Sequence, residues 1–365
     1  MKQVLVFNSG STSLKYKIFS IGKDNALKVV KVVKEGNFKG LREDRGTSHD
    51  AAIRSLLRSL GNLTDIAAIG HRVVHGGNEF VAPTKIDQLN LRLLEKYNRL
   101  APLHNPYNLM GIKSCLVYFS NIPNVAVFDT AFFKTLPLKA KIYPIPFEYY
   151  QKFGIERFGF HGISHQYLVD TVAAKLKKPV AKLNLITCHL GGGCSVAAIK
   201  NGQPIDISLG YTPMEGLVMT TRPGDLDPGV ILEIQEILIK NNPKNKESEH
   251  LLFETNNILN KESGIKGLFG SDHYLKLLKV KDKSPRAKLA FDIFIYRLEK
   301  YISAYWGILN KVDAIVFSGG IGSGKPATRR AVVKDLKFLN KTKILVIKTD
   351  EELAIAKECL KFIKF

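Results

Sequence analysis

The chain is short of acidic residues: 33 Asp and Glu stand against 54 Lys and Arg, a formal net charge of +21. Such a surplus attracts anions. It does not point to nucleic acid. The lysines are spread, with mild clusters at 276–288 and 334–343, and neither a basic tail nor a nucleic-acid motif is present. Cysteine is also scarce. Cys115, Cys188, Cys194 and Cys359 form no metal-ligand spacing and no disulfide framework, which argues against a zinc module or a stapled secreted domain. No apolar run approaches the roughly 18 residues of a membrane span. The N-terminus enters a strand with no signal-peptide pattern, so cytoplasm is expected. What is present is 365 residues, 45% of them apolar, enough for two ordinary domains with real cores.

Strand-like and helix-like patterns alternate throughout, which predicts an α/β fold. The opening stretch "VLVFNSGSTSLKYKIF" (4–19) reads as two short strands, Val4–Phe7 and Tyr16–Phe19, joined by a long polar turn. Its hydroxyls, glycine, backbone N–H groups and Lys15 suit a phosphate or a hydrated metal ion. A second such unit lies at "LNLITCHLGGGCSVAAIKNG" (183–202), with Asn201-Gly202 as a hairpin signal. Later strands ending in polar or glycine-rich loops follow in each half, at 67–77, 124–133 and 313–324. The pattern predicts a structural duplication, two similar domains facing a central cleft. The boundary is expected near the proline-broken "YPIPFEYY" (143–150), giving 1–145 plus 351–365 and 146–350. Helices are predicted at Leu89–Leu100, His165–Lys177, Val230–Lys240 and Ala287–Leu309.

Several charged residues sit where the chain is stiff. "GHRVVHGG" (70–77) puts Arg72 at a strand end, where its planar fork can meet carboxylate or phosphate. "TTRPGDLDPG" (220–229) fixes Arg222 in a Pro/Gly loop with Asp225 and Asp227. His104, His161 and His189 each follow an apolar segment at a turn; each alone suits a structural role, and the repetition favours a site. Asp129 ends a strand, a common magnesium device. Glu351 opens a C-terminal helix, where the dipole alone would explain an acid. "GGIGSGKP" (319–326) has the shape of a Walker loop, but Pro326 stands where Ser or Thr should bind magnesium.

Taken together and in order, "NSGSTSLKYKIF", "GHRVVHGG", "APLHNP", "VFDTAF", "RFGFHGISH", "TCHLGGG", "TPMEGL", "TRPGDLDPG", "SGGIG" and "TDEELAIA" resemble the acetate kinase family, of the acetate and sugar kinase, Hsp70 and actin superfamily. They span nearly the whole chain. The resemblance implies two duplicated actin-like (ribonuclease H-like) domains. It also implies Mg2+-dependent phosphoryl transfer from ATP to acetate, giving ADP and acetyl phosphate, with Mn2+ as an alternative ion and a homodimer joined through the second domain. Asn8 and Glu351 match the metal positions, and Lys15 lies near the phosphates. Arg72 matches the arginine engaging carboxylate and phosphoryl group, Asp129 the catalytic aspartate, and His161 and Arg222 the pair that stabilises the transition state. Val74, Leu103, Phe160 and Pro213 match the pocket for the acyl methyl group, with His104 as a supporting polar group.

The nucleoside side departs from the family pattern. His189-Leu190-Gly191-Gly192-Gly193 replaces the usual HLGNG, Gly320-Ile321-Gly322-Ser323-Gly324 replaces GIGEN, and Asp272-His273-Tyr274 replaces Asp-Phe-Arg. The donor is therefore open between ATP, another nucleotide and pyrophosphate, and the acceptor between acetate, propionate and butyrate. A non-enzymatic actin-like or Hsp70-like nucleotide switch is the alternative of a different class. It would have no need of Arg72, His161 and Arg222 together. Membrane and nucleic-acid partners are not expected.

Overall fold

The computed structural model describes residues 2–10, 13–24, 26–41, 48–60, 65–242 and 248–363. The chain groups into two compact units. The first comprises Met1–Lys134, Phe160–Tyr167 and Asp350–Phe365; the second comprises Thr135–Gly159 and Leu168–Thr349. Each is α/β and is built round one sheet.

In the first unit the strands are β1 (Gln3–Gly10), β2 (Ser13–Asp24), β3 (Ala26–Lys39), β4 (Ile66–Val73), β5 (Thr84–Lys85) and β6 (Asn124–Phe128), in the order β3-β2-β1-β4-β6-β5. β1, β2 and β3 form an antiparallel meander, while β1, β4 and β6 run parallel. β1 is apolar at four consecutive positions because both its faces are covered. Leu5 and Phe7 pack in a core with Ile53, Leu56 and Cys115; Val4 and Val6 pack in another with Val127 and Ile355. Ile355 belongs to the C-terminal helix (Glu351–Cys359), which comes close to β4 at Gly70. A Cβ there would lie 2.5 Å from the Ile355 side chain and 2.8 Å from the Cys359 sulfur.

The opening polar stretch is mostly strand, which corrects the expected long turn. β1 runs on to Gly10 and β2 starts at Ser13, with Asn8 opposite Lys15 and Ser9 opposite Leu14. The ladder satisfies the backbone there and outweighs the low strand propensity of Asn, Ser and Gly. Ser11 and Thr12 lie outside the described residues.

The second unit repeats the plan. Its strands are β7 (Leu185–Leu190), β8 (Cys194–Lys200), β9 (Gln203–Ile207), β10 (Ala314–Ser318) and β11 (Lys343–Val346), in the order β11-β10-β7-β8-β9. β7, β8 and β9 are an antiparallel meander, and β7, β10 and β11 are parallel. Asn201 and Gly202 turn the β8–β9 hairpin with φ of 52° and 75°, the left-handed pair that Asn-Gly supplies. The predicted helices form as Gln88–Glu95 with a 3-10 turn to Leu100, Gly162–Leu176, Pro228–Asn241 and Pro285–Leu309. Asp87, Asp227 and Ser284 cap three of them. All four cysteines are buried and unbridged. Among the described residues no helix is long and apolar enough to cross a membrane.

Candidate active site

In the first unit the chemistry gathers at the ends of the parallel strands. Arg72 lies in β4, and Asp129 is the first residue after β6, its N–H donating to Val73 O at 3.0 Å. The register places the arginine beside the aspartate. Arg72 Nη2 and Nε reach Asp129 Oδ2 at 2.6 and 3.1 Å, and Nη1 lies 3.2 Å from Glu351 Oε2. Asp129 is 1% exposed. Its pKa is raised to about 6, the balance of burial, which pushes it up, Arg72, which pulls it down, and Glu351, which pushes it up. Burial works against the Arg72 cation, but Asp129 and Glu351 more than offset it, and its pKa is raised. Two carboxylates thus share one guanidinium.

Glu351 is the middle of three consecutive acids that dock the C-terminal helix on three adjacent strands. Asp350 caps the helix and meets Lys17 of β2 at 2.9 Å. Glu351 meets Arg72 of β4, and Glu352 accepts from Asn8 of β1 at 3.3 Å and lies 3.4 Å from Lys17. The predicted metal pair is therefore brought to one region, with Asn8 touching the neighbour of Glu351. Lys17 went unnoticed in the sequence, where it is one lysine among many. Among the described residues no group of three His, Cys, Asp or Glu is arranged to hold a metal. Amide and carboxylate oxygens are nonetheless the donors magnesium takes, one or two at a time, with phosphate and water completing the shell.

His161 stands directly before the helix Gly162–Leu176 with φ of 59°, a strained backbone for a residue with a Cβ. Gly162 N–H donates to Asp129 O at 2.8 Å, and a Cβ on Gly162 would lie 2.3 Å from that oxygen. His161 is thereby fixed next to Asp129. His161 and His165 have the four-residue spacing of a helical metal pair. His165 N donates to His161 O at 2.9 Å, and the His165 ring is buried, edge-on to Phe133 at 5.7 Å.

The loop after β4 is held by two buried amides that sequence reading missed. Asn105 exchanges two bonds of 2.9 Å with the backbone of His75. Asn108 accepts from Val74 N at 3.1 Å and donates to Ser9 O at 2.6 Å. They stand three apart in "NPYN", on one face of the helix Asn105–Tyr118. Val74 and Phe160 are buried, Phe160 lying 5.3 Å from the His75 ring; Leu103 and His104 are partly exposed at the start of that helix.

The second unit offers backbone instead of side chains. His189 and Leu190 end β7, and Gly191–Gly193 turn into β8, with Gly191 N donating to Gly193 O at 2.9 Å. Thr220 holds Gly192 O with its N–H and hydroxyl at 3.2 and 3.1 Å. On the neighbouring strand Ser318 pairs with His189, and Gly319 follows at φ 76°; a Cβ there would lie 2.4 Å from Leu190 O. The glycine turn 191–193 and the one-turn helix Gly319–Gly322 thus lie side by side at the carboxyl ends of parallel strands. Ser323 and Gly324 follow, with the Ser323 hydroxyl donating to Gly319 O at 2.7 Å. The adenosine-side triplet is split: Asp272 and His273 are exposed, whereas Tyr274 is buried beside Phe294 with its hydroxyl 2.8 Å from Thr328 Oγ1. Lys15 is exposed on β2.

Arg222 differs from Arg72 in having no carboxylate. Its Nη1 donates to Pro213 O at 2.6 Å, and among the described residues no acid pairs with it. Burial lowers its pKa to about 10.

The sequence matches the model of the Acetokinase family over residues 3–341. An acetate kinase of Halothermothrix orenii is 40% identical over 407 aligned positions, covering 99% of this chain and all of the relative. One of Thermotoga maritima is 40% identical over 409, covering 98% and 97%. Among solved structures, Porphyromonas gingivalis acetate kinase superposes with a TM-score of 0.85 at 32% identity, covering both chains fully. A propionate kinase from Francisella tularensis gives 0.85 at 34%, covering 99% and 100%.

Proposed function

The chain belongs to the acetokinase family, and from that premise we propose that it is an acetate kinase transferring the γ-phosphoryl group of ATP to acetate. An acetate oxygen forms a bond to the γ-phosphorus, the bond to the β–γ bridging oxygen breaks, and ADP leaves with the electron pair. The acceptor is already ionised, so no proton needs to be removed. The barrier is the mutual repulsion of anions. Arg222 carries the proposal: a desolvated guanidinium without a carboxylate partner is a standing demand for an anion. Arg72, held in one orientation by Asp129, would engage the carboxylate and the phosphoryl group, and His161 would add a donor beside Asp129. The glycine turns at 191–193 and 319–322 would hold the nucleotide through their N–H groups, with Asp272 and His273 toward the nucleoside.

Asn8 and Glu351, with Asp129 nearby, would hold Mg2+. Their oxygen donors and the surplus carboxylate on Arg72 suit a hard cation. When bound, the ion would neutralise phosphate charge. ATP and a free short-chain acid point to the cytoplasm as the workplace. Exposed apolar residues on two successive helices of the second unit, Val230, Leu232 and Ile237 on one and Leu252 and Phe253 on the other, support a homodimer through that unit. Sedimentation at the mass of one chain at micromolar concentration would refute it.

Propionate is a second reading of the acceptor, favoured by the Francisella propionate kinase. One methylene in an apolar pocket discriminates by only about 1–3 kcal/mol. The test is to incubate the purified protein with Mg2+, acetate, propionate or butyrate, and ATP, GTP or pyrophosphate, trapping acyl phosphate with hydroxylamine. Acetohydroxamate from ATP is expected. No hydroxamate with any pair from a folded sample sinks the proposal.

A further inference from the structure

The loop that carries Arg222 is tied shut at its base. Asp225 Oδ1 accepts from Gly216 N at 2.8 Å, and Asp225 N donates to Gly216 O at 3.0 Å. The two residues thus bridge in both directions and close the segment 216–225. Gly216 and Gly224 both have positive φ, 98° and 75°, and a Cβ on Gly224 would lie 2.3 Å from Gly216 O. Within the closed segment Met219 N donates to Arg222 O at 2.9 Å. The second carboxylate oxygen of Asp225 is engaged from outside: Tyr301 of the long helix Pro285–Leu309 donates to Oδ2 at 2.8 Å. That helix is anchored by Phe294, Leu298, Ile302 and Tyr305, all buried. The hydroxyl is therefore a fixed point, and the loop is referred to it through one carboxylate.

We propose that Tyr301 is a positioning residue that acts through Asp225 to hold Arg222 in its working orientation. It touches no reactant. Arg222 makes no ion pair of its own among the described residues, and its side-chain bond goes to Pro213 O, three residues before the closed segment. The loop is also held at Met219, Thr220 and Thr221 by bonds with Ile265, Lys266, Ser263 and Asn260, so Asp225 sets the stand of its base, and misplacing a catalytic group by about 1 Å costs up to about 10²-fold in rate. The inference rests on the acyl kinase reading given above.

The test is a double-mutant cycle on turnover. Tyr301→Phe removes the hydroxyl and keeps the ring; Asp225→Asn keeps an acceptor for Gly216 N and weakens the acceptor for Tyr301. Each is expected to lower kcat about tenfold with KM for acetate changed less than about twofold. Combined with Arg222→Ala, Tyr301→Phe is expected to cost nothing further, because it acts only through that arginine. A general loosening of the fold would subtract in both backgrounds. Wild-type turnover is the first arm: if it is absent, the acyl kinase reading fails. If it is present and Tyr301→Phe matches it, or still loses tenfold in the Arg222→Ala background, the positioning role alone is overturned.

Discussion

The two units share a strand plan and differ in what they present at its ends. β1-β2-β3 with β4 in the first unit corresponds to β7-β8-β9 with β10 in the second. At the strand ends the first unit presents side chains: Arg72, Asp129 and the acids of the C-terminal helix. The second presents backbone, two glycine turns on adjacent strands. The same division separates the arginines. Arg72 stands between two carboxylates, at 2.6 Å from Asp129 and 3.2 Å from Glu351, whereas Arg222 bonds a carbonyl and has no acid partner among the described residues. One scaffold thus carries an arginine balanced by acids in one unit and, in the other, an arginine with no acid partner among the described residues.

Removing each arginine in turn would break the comparison most severely. Arg222→Ala is expected to lower kcat by about 10²–10³-fold, the loss typical of one transition-state donor. Its denaturation midpoint should hold, because no buried acid is orphaned. Arg72→Ala should lose similar turnover and also about 3 kcal/mol of stability, because the buried Asp129 carboxylate loses the guanidinium that balances it. Acyl hydroxamate assays and urea titrations read both. Equal destabilisation by the two substitutions would erase the distinction.

The second unit's dependence on backbone is tested at neighbouring glycines. Gly319→Ala places a Cβ 2.4 Å from Leu190 O on a backbone with φ of 76°. It should cost about 3 kcal/mol. At Gly320 nothing lies within 4 Å, so Gly320→Ala should fold as wild type. If Gly320→Ala then raises KM for ATP, the loss is of close approach by the nucleotide. If both substitutions are silent, the glycines are not there for their conformation.

Much of this was legible in the residues. The hairpin plan showed because apolar runs bounded by turn signals need only local chemistry to be read. Asp129 and Arg72 showed because each ends a strand beside glycine or a polar turn. The polar stretch 8–13 misled because pairing with β2, a tertiary fact, decides that Asn8–Gly10 are strand. Asn105, Asn108 and Lys17 were opaque for a similar reason. Their partners lie at His75, Ser9 and Asp350, and nothing local marks an amide or an amine that will be buried against distant backbone or a distant acid.

Acid should act on the first unit's side chains more than on the second unit's core strand β10, whose sequence AIVFS holds no titrating group. His71 of β4 is 2% exposed, bonded to Asn124 Oδ1 at 2.9 Å, and burial pushes its pKa down to about 4 from 6.5. A depressed histidine binds its proton more readily when unfolded. Its contribution is therefore whole above about pH 6.5 and is lost as pH falls toward 4. Between pH 7.5 and 5 that is about 2 kcal/mol. Asp129, with its raised pKa, works in the opposite sense over part of this range, so the measurement is the difference between wild type and His71→Gln. Parallel pH profiles for the two would exclude His71 as the source.

The smallest effect divides the triplet Asp272-His273-Tyr274. Tyr274 is 6% exposed and spends its hydroxyl on Thr328, so Tyr274→Phe should cost about 1 kcal/mol of stability and leave KM for ATP alone. Asp272 is half exposed and pairs only loosely, at 4.0 Å, with its neighbour His273. Asp272→Ala should therefore leave stability unchanged and move only the nucleotide KM. The second unit would then meet the nucleoside with surface side chains at 272–273 and the phosphates with backbone at 191–193 and 319–322. A rise in KM for ATP in Tyr274→Phe without loss of stability would reverse that division and make the buried tyrosine part of the nucleotide site.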